Sequence, residues 1–465
     1  MTTPTLLWFR RDLRLDDHPA LLAAAAGGAD VLGVFVADDI VLEPSGAPRR
    51  AFLAGSLAAL SESMNGRLLV VRGRPSAVIP ALAARIGARA VHASADYGPY
   101  GLRRDQRVAD ALRAKDIDWV TTGSPYAVAP GRVRKSDGSR YAVFTPYFRG
   151  WTEHGWRRPA GPGSGAAWID PAGVDGPKRH DPADLGRAVP SGTCLPDPGE
   201  AAARRVWGEF VDSAAGLGVD SYDGERDRPD HPGTSRISPY LKWGCVHPRT
   251  LLAELAPRHS AGAAAYRREL AWREFYADVV FRLPQSIWTS VDPVIDAMPW
   301  DGGSDADDRL AAWKAGMTGY PYIDAGMRQL LTQGWMHNRV RMGVASFLIK
   351  DLHLTWQVGA AHFLAHLVDG DYASNNHGWQ WVAGSGPQAS PFFRIFNPIS
   401  QGEKFDPDGD YVRSYVPELR GIAGKAVHRP WELGLGAPDG YPAPIVDHAT
   451  ERAESLRRWE SRPRP

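Results

Sequence analysis

The sequence predicts a two-part chain, in which a parallel α/β domain precedes a larger all-helical domain. Short apolar, β-rich runs alternate with alanine-rich helical runs up to residue 121, whereas beyond Glu200 the apolar residues recur at helical spacing. The length of 465 residues also exceeds what one hydrophobic core usually supports. We expect an α/β domain at 1–130, a linker at 131–200 and a helical domain at 201–465.

The N-terminal part carries the alternating pattern of a parallel sheet. The predicted strands lie at 5–9, 31–36, 68–71, 90–93 and 119–121. The predicted helices lie at 21–26, 50–61 and 77–86. Strands and helices alternating at this spacing indicate a parallel sheet. The first strand is followed by Arg-Arg-Asp-Leu-Arg-Leu rather than by Gly-x-Gly-x-x-Gly, so the fingerprint of a dinucleotide-binding sheet is absent.

The middle of the chain predicts a long connector, because it is rich in Gly, Pro, Ser and charged residues from about Pro125 to Pro198. Apolar residues then recur at helical spacing in the second half. The clearest such runs are 263–281, 323–331, 340–352 and 360–367. We therefore expect the C-terminal half to be nearly all helix, without internal repeats.

Composition bears on the compartment and the partners. Lys and Arg number 54 against 53 Asp and Glu, so the net charge of +1 neither supports nor excludes nucleic-acid binding. Cys194 and Cys245 are the only cysteines and form no disulfide or zinc pattern, which fits a reducing compartment. No signal peptide is visible, and no apolar run approaches the roughly 20 residues of a membrane helix. The expected location is the cytoplasm.

The segment 368–381, Val-Asp-Gly-Asp-Tyr-Ala-Ser-Asn-Asn-His-Gly-Trp-Gln-Trp, concentrates groups that suit a redox cofactor. Ionised Asp369 and Asp371 only accept hydrogen bonds, whereas Asn375 and the amide after it both donate and accept. The two tryptophans diverge by about 200° on a helix, so one can face a cofactor and the other a ligand. Taken alone, a capped helix start with two core tryptophans is the simpler interpretation.

Each of three further motifs has both a functional and an ordinary structural interpretation. The segment 233–238, Gly-Thr-Ser-Arg-Ile-Ser, places hydroxyls and amides before a helix, where they can hold a diphosphate or simply cap the helix. In 266–276, Glu269 and Arg273 share a helix side with a tryptophan, unless they form a plain surface ion pair. The segment 334–342, Gly-Trp-Met-His-Asn-Arg-Val-Arg-Met, adds Asn338, two arginines and a methionine to the candidate groups. Its structural alternative is a solvated basic helix face.

Together, in this order and spacing, the motifs resemble the cryptochrome/photolyase family along nearly the whole chain. The matching stretches are Trp-Phe-Arg-Arg-Asp-Leu-Arg-Leu at 8–15, Gly-Thr-Ser-Arg at 233–236, Trp-Arg-Glu-Phe-Tyr at 272–276, Gly-Trp-Met-His-Asn-Arg at 334–339, and the segment 368–381. Within the family the chain most resembles class I cyclobutane pyrimidine dimer photolyases, light-driven DNA repair enzymes that carry FAD. The resemblance implies a Rossmann-like α/β domain that shelters an antenna pigment, and a helical FAD-binding domain.

The resemblance implies a set of FAD contacts. These residues are Tyr222, Thr234, Ser235, Arg236, Ile237, Ser238, Tyr266, Arg273, Arg341, Asp369, Gly370, Asp371 and Asn375. Asn375 matches the residue facing flavin N5, where an amide can accept a hydrogen bond from N5–H without placing an anion beside an anionic ring. Plant-type cryptochromes tend to carry aspartate at this position, so an amide favours repair over light sensing.

The resemblance also implies a lesion pocket and DNA contacts. The implied substrate and DNA residues are Arg226, Glu269, Trp272, Asn338, Arg339, Met342, Trp381, Arg394 and Gln401. Flat or soft apolar walls suit a flipped-out dimer, with Glu269 and Asn338 as its catalytic contacts. In (6-4) photolyases the residues matching Asn338 and Met342 are typically histidines, which favours the cyclobutane dimer. The expected partner is damaged DNA, bound by a monomer with no obligatory protein partner.

The implied mechanism is photochemical. The excited reduced flavin anion gives one electron to the dimer, which opens and returns it, so no metal site or nucleophile is expected. The family's electron-supplying chain matches Trp379, Trp356 and Trp300, which are therefore counted as catalytic. Trp313 is the alternative to Trp300, because the segment 302–308 is longer than usual. Simple core packing remains an alternative for each tryptophan.

The antenna and two unusual positions complete the expectations. Asp96, Lys242 and Arg49 resemble contacts for 8-hydroxy-5-deazaflavin, with methenyltetrahydrofolate as the weaker alternative. Tyr266 stands where many dimer photolyases carry tryptophan. His377 replaces a glycine, and it either alters the redox behaviour of the flavin or points to solvent. The alternatives to dimer repair are a blue-light photoreceptor and a (6-4) photolyase.

Overall fold

A parallel sheet is followed by a largely helical second half, as the sequence predicts. The computed structural model describes residues 3–387, 390–434 and 436–462. The strands are β1 (Thr5–Phe9), β2 (Val31–Ala37), β3 (Leu68–Arg72), β4 (Ala90–Ala93) and β5 (Asp118–Thr121). The α-helices of these residues are α1 (Pro19–Ala24), α2 (Asp39–Leu42), α3 (Ala47–Ser63), α4 (Pro75–Arg85), α5 (Pro99–Arg113), α6 (Phe144–His154), α7 (Glu200–Val211), α8 (Tyr222–Glu225), α9 (Ser238–Trp243), α10 (Pro248–Leu255), α11 (Ala261–Arg282), α12 (Ser304–Ala315), α13 (Pro321–Gln333), α14 (Asn338–Lys350), α15 (Trp356–His366), α16 (Tyr372–Ala383), α17 (Pro398–Phe405), α18 (Asp410–Tyr415) and α19 (His448–Glu460).

The strands form a parallel sheet in the order β3-β2-β1-β4-β5. Leu7 of β1 pairs with Gly33 of β2 on one side and with His92 of β4 on the other. Strands β1 and β2 are buried along their whole length, which explains why they are continuous apolar runs in the sequence. The strand order reverses between β1 and β4. In such sheets, the loops beyond the carboxyl ends of the strands at this point form a crevice that can take a ligand.

Helix α6 is the main element that the sequence analysis missed, because it lies inside the predicted connector. Phe144, Tyr147 and Trp151 are its buried residues, and their spacing is that of one helix face. Glycine- and proline-rich segments on both sides outweigh this short run when the prediction rests on composition.

The described chain divides into two compact units, which we call the sheet unit and the helical unit. The sheet unit comprises Met1–Val189, Pro196–Asp212 and Ser235–Pro284. The helical unit comprises Pro190–Leu195, Ser213–Thr234 and Gln285–Pro465. The domain limits expected from the sequence stay a prediction.

The helical unit is built around a large aromatic core. Trp313, Trp356 and Trp379 are buried members of one apolar cluster, to which aromatic rings contribute large buried areas. Met342 and Trp381 pack against this cluster while keeping part of their surface exposed. Among the helices of the described residues, none combines the length and the apolar character needed to cross a membrane.

Candidate functional site

Helix α16 of the helical unit carries the predicted flavin segment, and Asp371 starts it. The Asp371 carboxylate accepts hydrogen bonds from the backbone N–H groups of Ala373 at 3.1 Å and Ser374 at 3.4 Å. These bonds satisfy donors that a helix start leaves without partners. Gly384, with a left-handed φ of 84°, ends the helix. The capped-helix interpretation of the segment is therefore correct for Asp371.

The two amides of α16 are oriented by their hydrogen bonds. Asn376 Nδ2 donates to the Ile287 carbonyl at 2.7 Å, and only the nitrogen end of an amide can do so. The oxygen end of Asn376 therefore faces Asn375, whose Nδ2 donates to it at 2.9 Å and to the Ala360 carbonyl at 3.2 Å. Because both N–H groups of Asn375 are used, its oxygen is the end that can accept a further donor.

An ion pair precedes this helix. Arg341 Nη2 lies 3.0 Å from Asp369 Oδ2, and Arg341 Nε donates to the Met336 carbonyl at 2.8 Å. The Asp369 side chain is only 6% exposed, so the pair is shielded from water and its charges interact more strongly than at a surface. The structure thus brings together Arg341 and Asp369, two of the predicted cofactor residues, and Gly370 links the second of them to the helix cap.

His377 is buried, so the alternative in which it points to solvent is wrong. Its Nδ1 lies 2.8 Å from the Ala373 carbonyl, and its Nε2 lies 3.0 Å from Ser286 Oγ. Since a carbonyl only accepts, Nδ1 carries the proton and the Ser286 hydroxyl donates to Nε2. Burial lowers the pKa of His377 to about 4, so the imidazole is neutral near pH 7. An effect on a flavin stays a prediction.

The predicted electron-carrying tryptophans lie in the core of the helical unit. Trp379 is 3% exposed, and its ring meets that of Trp313 edge to face, with 6.2 Å between the centroids. A Cβ on Gly359, one turn after Trp356 on α15, would overlap the Trp379 ring, so this ring packs directly on α15. Trp300 is partly buried against the same cluster. The ring contact with Trp379 concerns Trp313, the alternative to Trp300. The order of electron transfer stays a prediction.

Three predicted lesion contacts lie on two helices of the helical unit that pack together, α14 and α16. Asn338 and Met342 are one turn apart on α14, and Asn338 is exposed. Trp381 lies near the end of α16. Met342 and Trp381 are both partly buried against the aromatic core. Together these residues supply an amide, a soft side chain and a flat ring.

Two predicted DNA-binding arginines already have partners within the helical unit. Arg339 forms a two-pronged ion pair with Asp227, with Nε at 3.1 Å and Nη2 at 2.6 Å, and lies 4.5 Å over the Phe405 ring. To bind a phosphate, Arg339 would exchange this carboxylate. Arg226 lies 5.3 Å over the ring of Tyr222, which is a predicted cofactor contact.

The exposed Arg394 is anchored through its backbone. Lys350 is 1% exposed, and its Nζ donates to the Arg394 carbonyl at 2.9 Å and lies 5.1 Å from the Phe392 ring. Burial lowers the pKa of Lys350 to about 7; the charge of Arg394 acts in the same direction and that of Asp351 opposes it. Gln401, on α17, is half-buried.

In the sheet unit, the predicted phosphate-binding residues precede α9. Arg236 has a left-handed φ of 49°, a conformation that costs a non-glycine residue roughly 1–2 kcal/mol. Ser235 Oγ and the Tyr266 hydroxyl are hydrogen-bonded at 2.7 Å, and either oxygen can be the donor. The tryptophan that many dimer photolyases carry at the position of Tyr266 could only donate, through its indole N–H. Ile237 is buried, and Ser238 is the first residue of α9. Thr234 belongs to the helical unit.

The Arg273 guanidinium donates hydrogen bonds to backbone carbonyls. Its Nη1 and Nη2 donate to the carbonyls of Pro125 and Leu241, each at 3.1 Å. Its guanidinium also lies 4.7 Å from the ring of Tyr126. The contact of Arg273 with a cofactor stays a prediction.

Trp272 lies among aromatic neighbours, with the ring centroids of Phe275 and Tyr276 at 5.7 and 5.4 Å from its own. Its ring stacks on that of Phe144, with centroids 3.6 Å apart and planes within 7°. Arg268 lies 5.7 Å over the same Phe144 ring. Since Phe144 occupies one face of the indole, only the opposite face and the edges of Trp272 can meet a base. Glu269 lies one turn earlier on α11.

The predicted antenna residues belong to the sheet unit. Asp96 follows β4, and its Oδ1 accepts from the backbone N–H groups of the next two residues at 2.8 and 3.2 Å. Its Oδ2 lies 3.0 Å from Arg104 Nη2. Although burial alone would raise it, Arg104 and nearby arginines lower the pKa of Asp96 to about 2. Arg49 is buried on α3, and Lys242 is half-buried on α9.

Several residues near the predicted sites have roles that depend on partners distant in the sequence. Asp227, Phe144 and Lys350 have no role in the sequence predictions, and Asn376 has only that of an amide that suits a cofactor edge, yet each contacts a predicted site residue or its backbone. The position of Asp227 beside a predicted DNA-binding arginine and the helical spacing around Phe144 are signals that were available. For Asn376 and Lys350, no local sequence pattern indicates which residue they contact.

Known proteins match nearly the whole chain. Residues 5–163 match the family model described as DNA photolyase, and residues 266–461 match the FAD binding domain of DNA photolyase. The deoxyribodipyrimidine photo-lyase of Streptomyces griseus is 42% identical over 460 residues, covering 96% of each chain. That of Halobacterium salinarum is 39% identical over 481 residues, covering 98% of each chain.

Solved structures share the fold along the full length. A bacterial class III photolyase from Agrobacterium tumefaciens is similar with a TM-score of 0.90 at 37% identity, covering 99% of this chain and 98% of that one. A cryptochrome from Synechocystis is similar with a TM-score of 0.88 at 27% identity, covering 98% and 99%.

Proposed function

The chain belongs to the DNA photolyase family, and on that premise we propose that it is a light-dependent deoxyribodipyrimidine photo-lyase, which repairs cyclobutane pyrimidine dimers in DNA. The main support is that relatives at 42% and 39% identity, covering at least 96% of this chain, carry that name. We propose that the chain is a class I photolyase. The similar structure from Agrobacterium tumefaciens is that of a class III photolyase, so class III is the alternative. The proposed partner is damaged DNA, bound by a cytoplasmic monomer.

The residues of the helical unit fit a flavin beside α16. When bound and excited, reduced FAD supplies the electron that opens the cyclobutane ring. Asn375 would offer its amide oxygen to flavin N5–H, since both of its own N–H groups are engaged elsewhere. A neutral amide here also avoids repulsion of an anionic ring. Arg341 and Asp369 would offer one charge of each sign to the polar edges of the cofactor.

In the sheet unit, the hydroxyls and the guanidinium of Ser235, Arg236 and Ser238 suit a diphosphate group. We propose that Glu269 accepts a hydrogen bond from the imide edge of the lesion and that the face of Trp272 opposite Phe144 stacks on it. In the helical unit, Asn338, Met342 and Trp381 would provide an amide and apolar walls for a flipped-out dimer.

A light-dependent repair assay tests the function. Protein with reduced FAD is illuminated with an oligonucleotide that carries one cyclobutane thymine dimer, and a dark sample is the control. We expect the dimer to disappear only in the light, and no light-dependent loss would refute the proposal. The same assay with a (6-4) lesion tests the second enzymatic alternative. A photoreceptor would change conformation on illumination and leave both lesions intact.

The role of Glu269 is tested with a matched pair of variants. Glu269→Ala removes the hydrogen-bonding group, whereas Glu269→Gln keeps a carbonyl acceptor of the same size. We expect the repair yield to fall more in Glu269→Ala, while FAD stays bound in both. Loss of FAD from the alanine variant would instead assign Glu269 to the cofactor.

We propose 8-hydroxy-5-deazaflavin as the antenna, held by Asp96, Lys242 and Arg49. The visible spectrum of protein purified from a deazaflavin-producing host measures its presence. We expect an absorption band from the pigment, and this band should disappear in Lys242→Met, because the ammonium is suited to a phenolate-like oxygen. Absence of the band from the wild-type protein would contradict the assignment.

A further inference from the structure

Helix α16 is fastened to the segment 285–291, which we call the latch segment. Gln380 Nε2 donates to the Ser286 carbonyl at 2.6 Å, and the side chain of Asn376 donates to the Ile287 carbonyl at 2.7 Å. Gln380 and Asn376 are 0% and 5% exposed, so a lost bond would leave a buried polar group without a partner. The latch segment is thus held in one position relative to α16.

This attachment fixes which end of Asn376 faces Asn375. The nitrogen end of Asn376 is bound to Ile287, so only its oxygen end can receive the N–H group of Asn375 at 2.9 Å. A rotation of the Asn375 amide by 180° would place its oxygen against the oxygens of Asn376 and Ala360. Two acceptors that face each other repel, so Asn375 is held with its oxygen directed away from both.

We propose that Asn376 is a positioning residue, which holds the Asn375 oxygen toward flavin N5 and thereby favours the reduced cofactor over the oxidised one; this rests on the flavin placement of the proposed function. Reduced flavin carries a hydrogen on N5 and can donate to this oxygen. Oxidised flavin has no hydrogen there, and its N5 only accepts. An Asn375 amide free to rotate would serve both forms, whereas one held by Asn376 serves the reduced form.

The test measures the two-electron reduction potential of bound FAD together with the FAD dissociation constant. Asn376→Leu removes the nearer of the two acceptors that orient Asn375 and leaves the Ala360 carbonyl. We expect the redox equilibrium to move toward the oxidised form by about fivefold, ~20 mV for a two-electron couple. Asn375→Leu is the reference, with a shift in the same direction that is at least as large. Gln380→Leu is the matched control, because Gln380 is equally buried and bound to the latch segment but lies a turn away from Asn375. It should lower thermal stability without moving the potential.

Asn376→Asp provides a second, isosteric readout. When protonated, its carboxyl group can donate to the Ile287 carbonyl and accept from Asn375, as the amide does. When ionised, it can no longer donate. Both forms present an acceptor to Asn375, so the positioning role predicts a potential equal to that of the wild type at low pH, where the carboxyl group is neutral. A potential at low pH that matches Asn375→Leu instead would overturn the proposal, even if Asn376→Leu fails to fold.

The remaining outcomes separate this proposal from the proposed function. If Asn375→Leu shifts the potential and Asn376→Leu does not, the positioning role is overturned and the flavin placement stands. If Asn375→Leu causes no shift, both the placement at N5 and the role of Asn376 are overturned, and the lesion assay decides the enzymatic function independently. An equal shift in Gln380→Leu would indicate general loosening of α16 and would also overturn the proposal.

Discussion

Replacing the buried Lys350 with methionine should change how stability depends on pH. In the folded chain, burial lowers the pKa of Lys350 from 10.5 to about 7, with Arg394 acting in the same direction and Asp351 opposing. In the unfolded chain, a lysine keeps its proton up to about pH 10.4. Between these values the unfolded chain binds one more proton than the folded chain, so the free energy of unfolding rises with pH. The slope is about 1.4 kcal/mol per pH unit.

Urea unfolding followed by tryptophan fluorescence measures this dependence. From about pH 7.5 to about pH 9.5, the wild type should gain roughly 2 kcal/mol relative to Lys350→Met, a comparison that cancels the other titrating groups. Lys425→Met, which changes an exposed lysine of the same unit, should run parallel to the wild type. Parallel profiles of the wild type and Lys350→Met would refute the argument that the Lys350 ammonium is desolvated.

Three further substitutions test other contacts. Gly359→Ala places a methyl group into the Trp379 ring, so urea unfolding should show a loss of about 1–3 kcal/mol; an unchanged midpoint would contradict this packing. Asp227→Asn releases Arg339 from its ion pair, so the affinity for undamaged duplex should rise and the log–log salt slope should steepen by about 0.9. A constant slope would mean that Arg339 contacts no phosphate. His377→Gly removes two hydrogen bonds and puts glycine into a helix, so we expect a loss of about 2 kcal/mol in urea unfolding, and wild-type stability would argue against these bonds.

Local sequence was sufficient for most of the secondary structure. The predicted strands agree with the observed ones to within one residue at each end, because buried parallel strands are continuous apolar runs. The predicted helical runs that fall on α11, α13, α14 and α15 agree to within four residues at each end. Helix α6 was missed because its short apolar face lies between glycine- and proline-rich segments.

The contacts that orient the site join residues far apart in the chain. Asn376 bonds to a carbonyl 89 positions away, and Arg339 pairs with an aspartate 112 positions away. Arg273 holds a carbonyl 148 positions away. No periodicity or motif spacing contains these partners, because they become neighbours only when the chain folds.

By itself, the sequence determined the fold class and the choice of candidate residues, since apolar periodicity and motif order are properties of neighbours along the chain. Only the tertiary structure decided which end of the Asn375 amide is available, which nitrogen of His377 carries the proton, and how far the pKa of Lys350 falls. The physical reason is that hydrogen-bond direction and desolvation depend on burial and on partners from other elements.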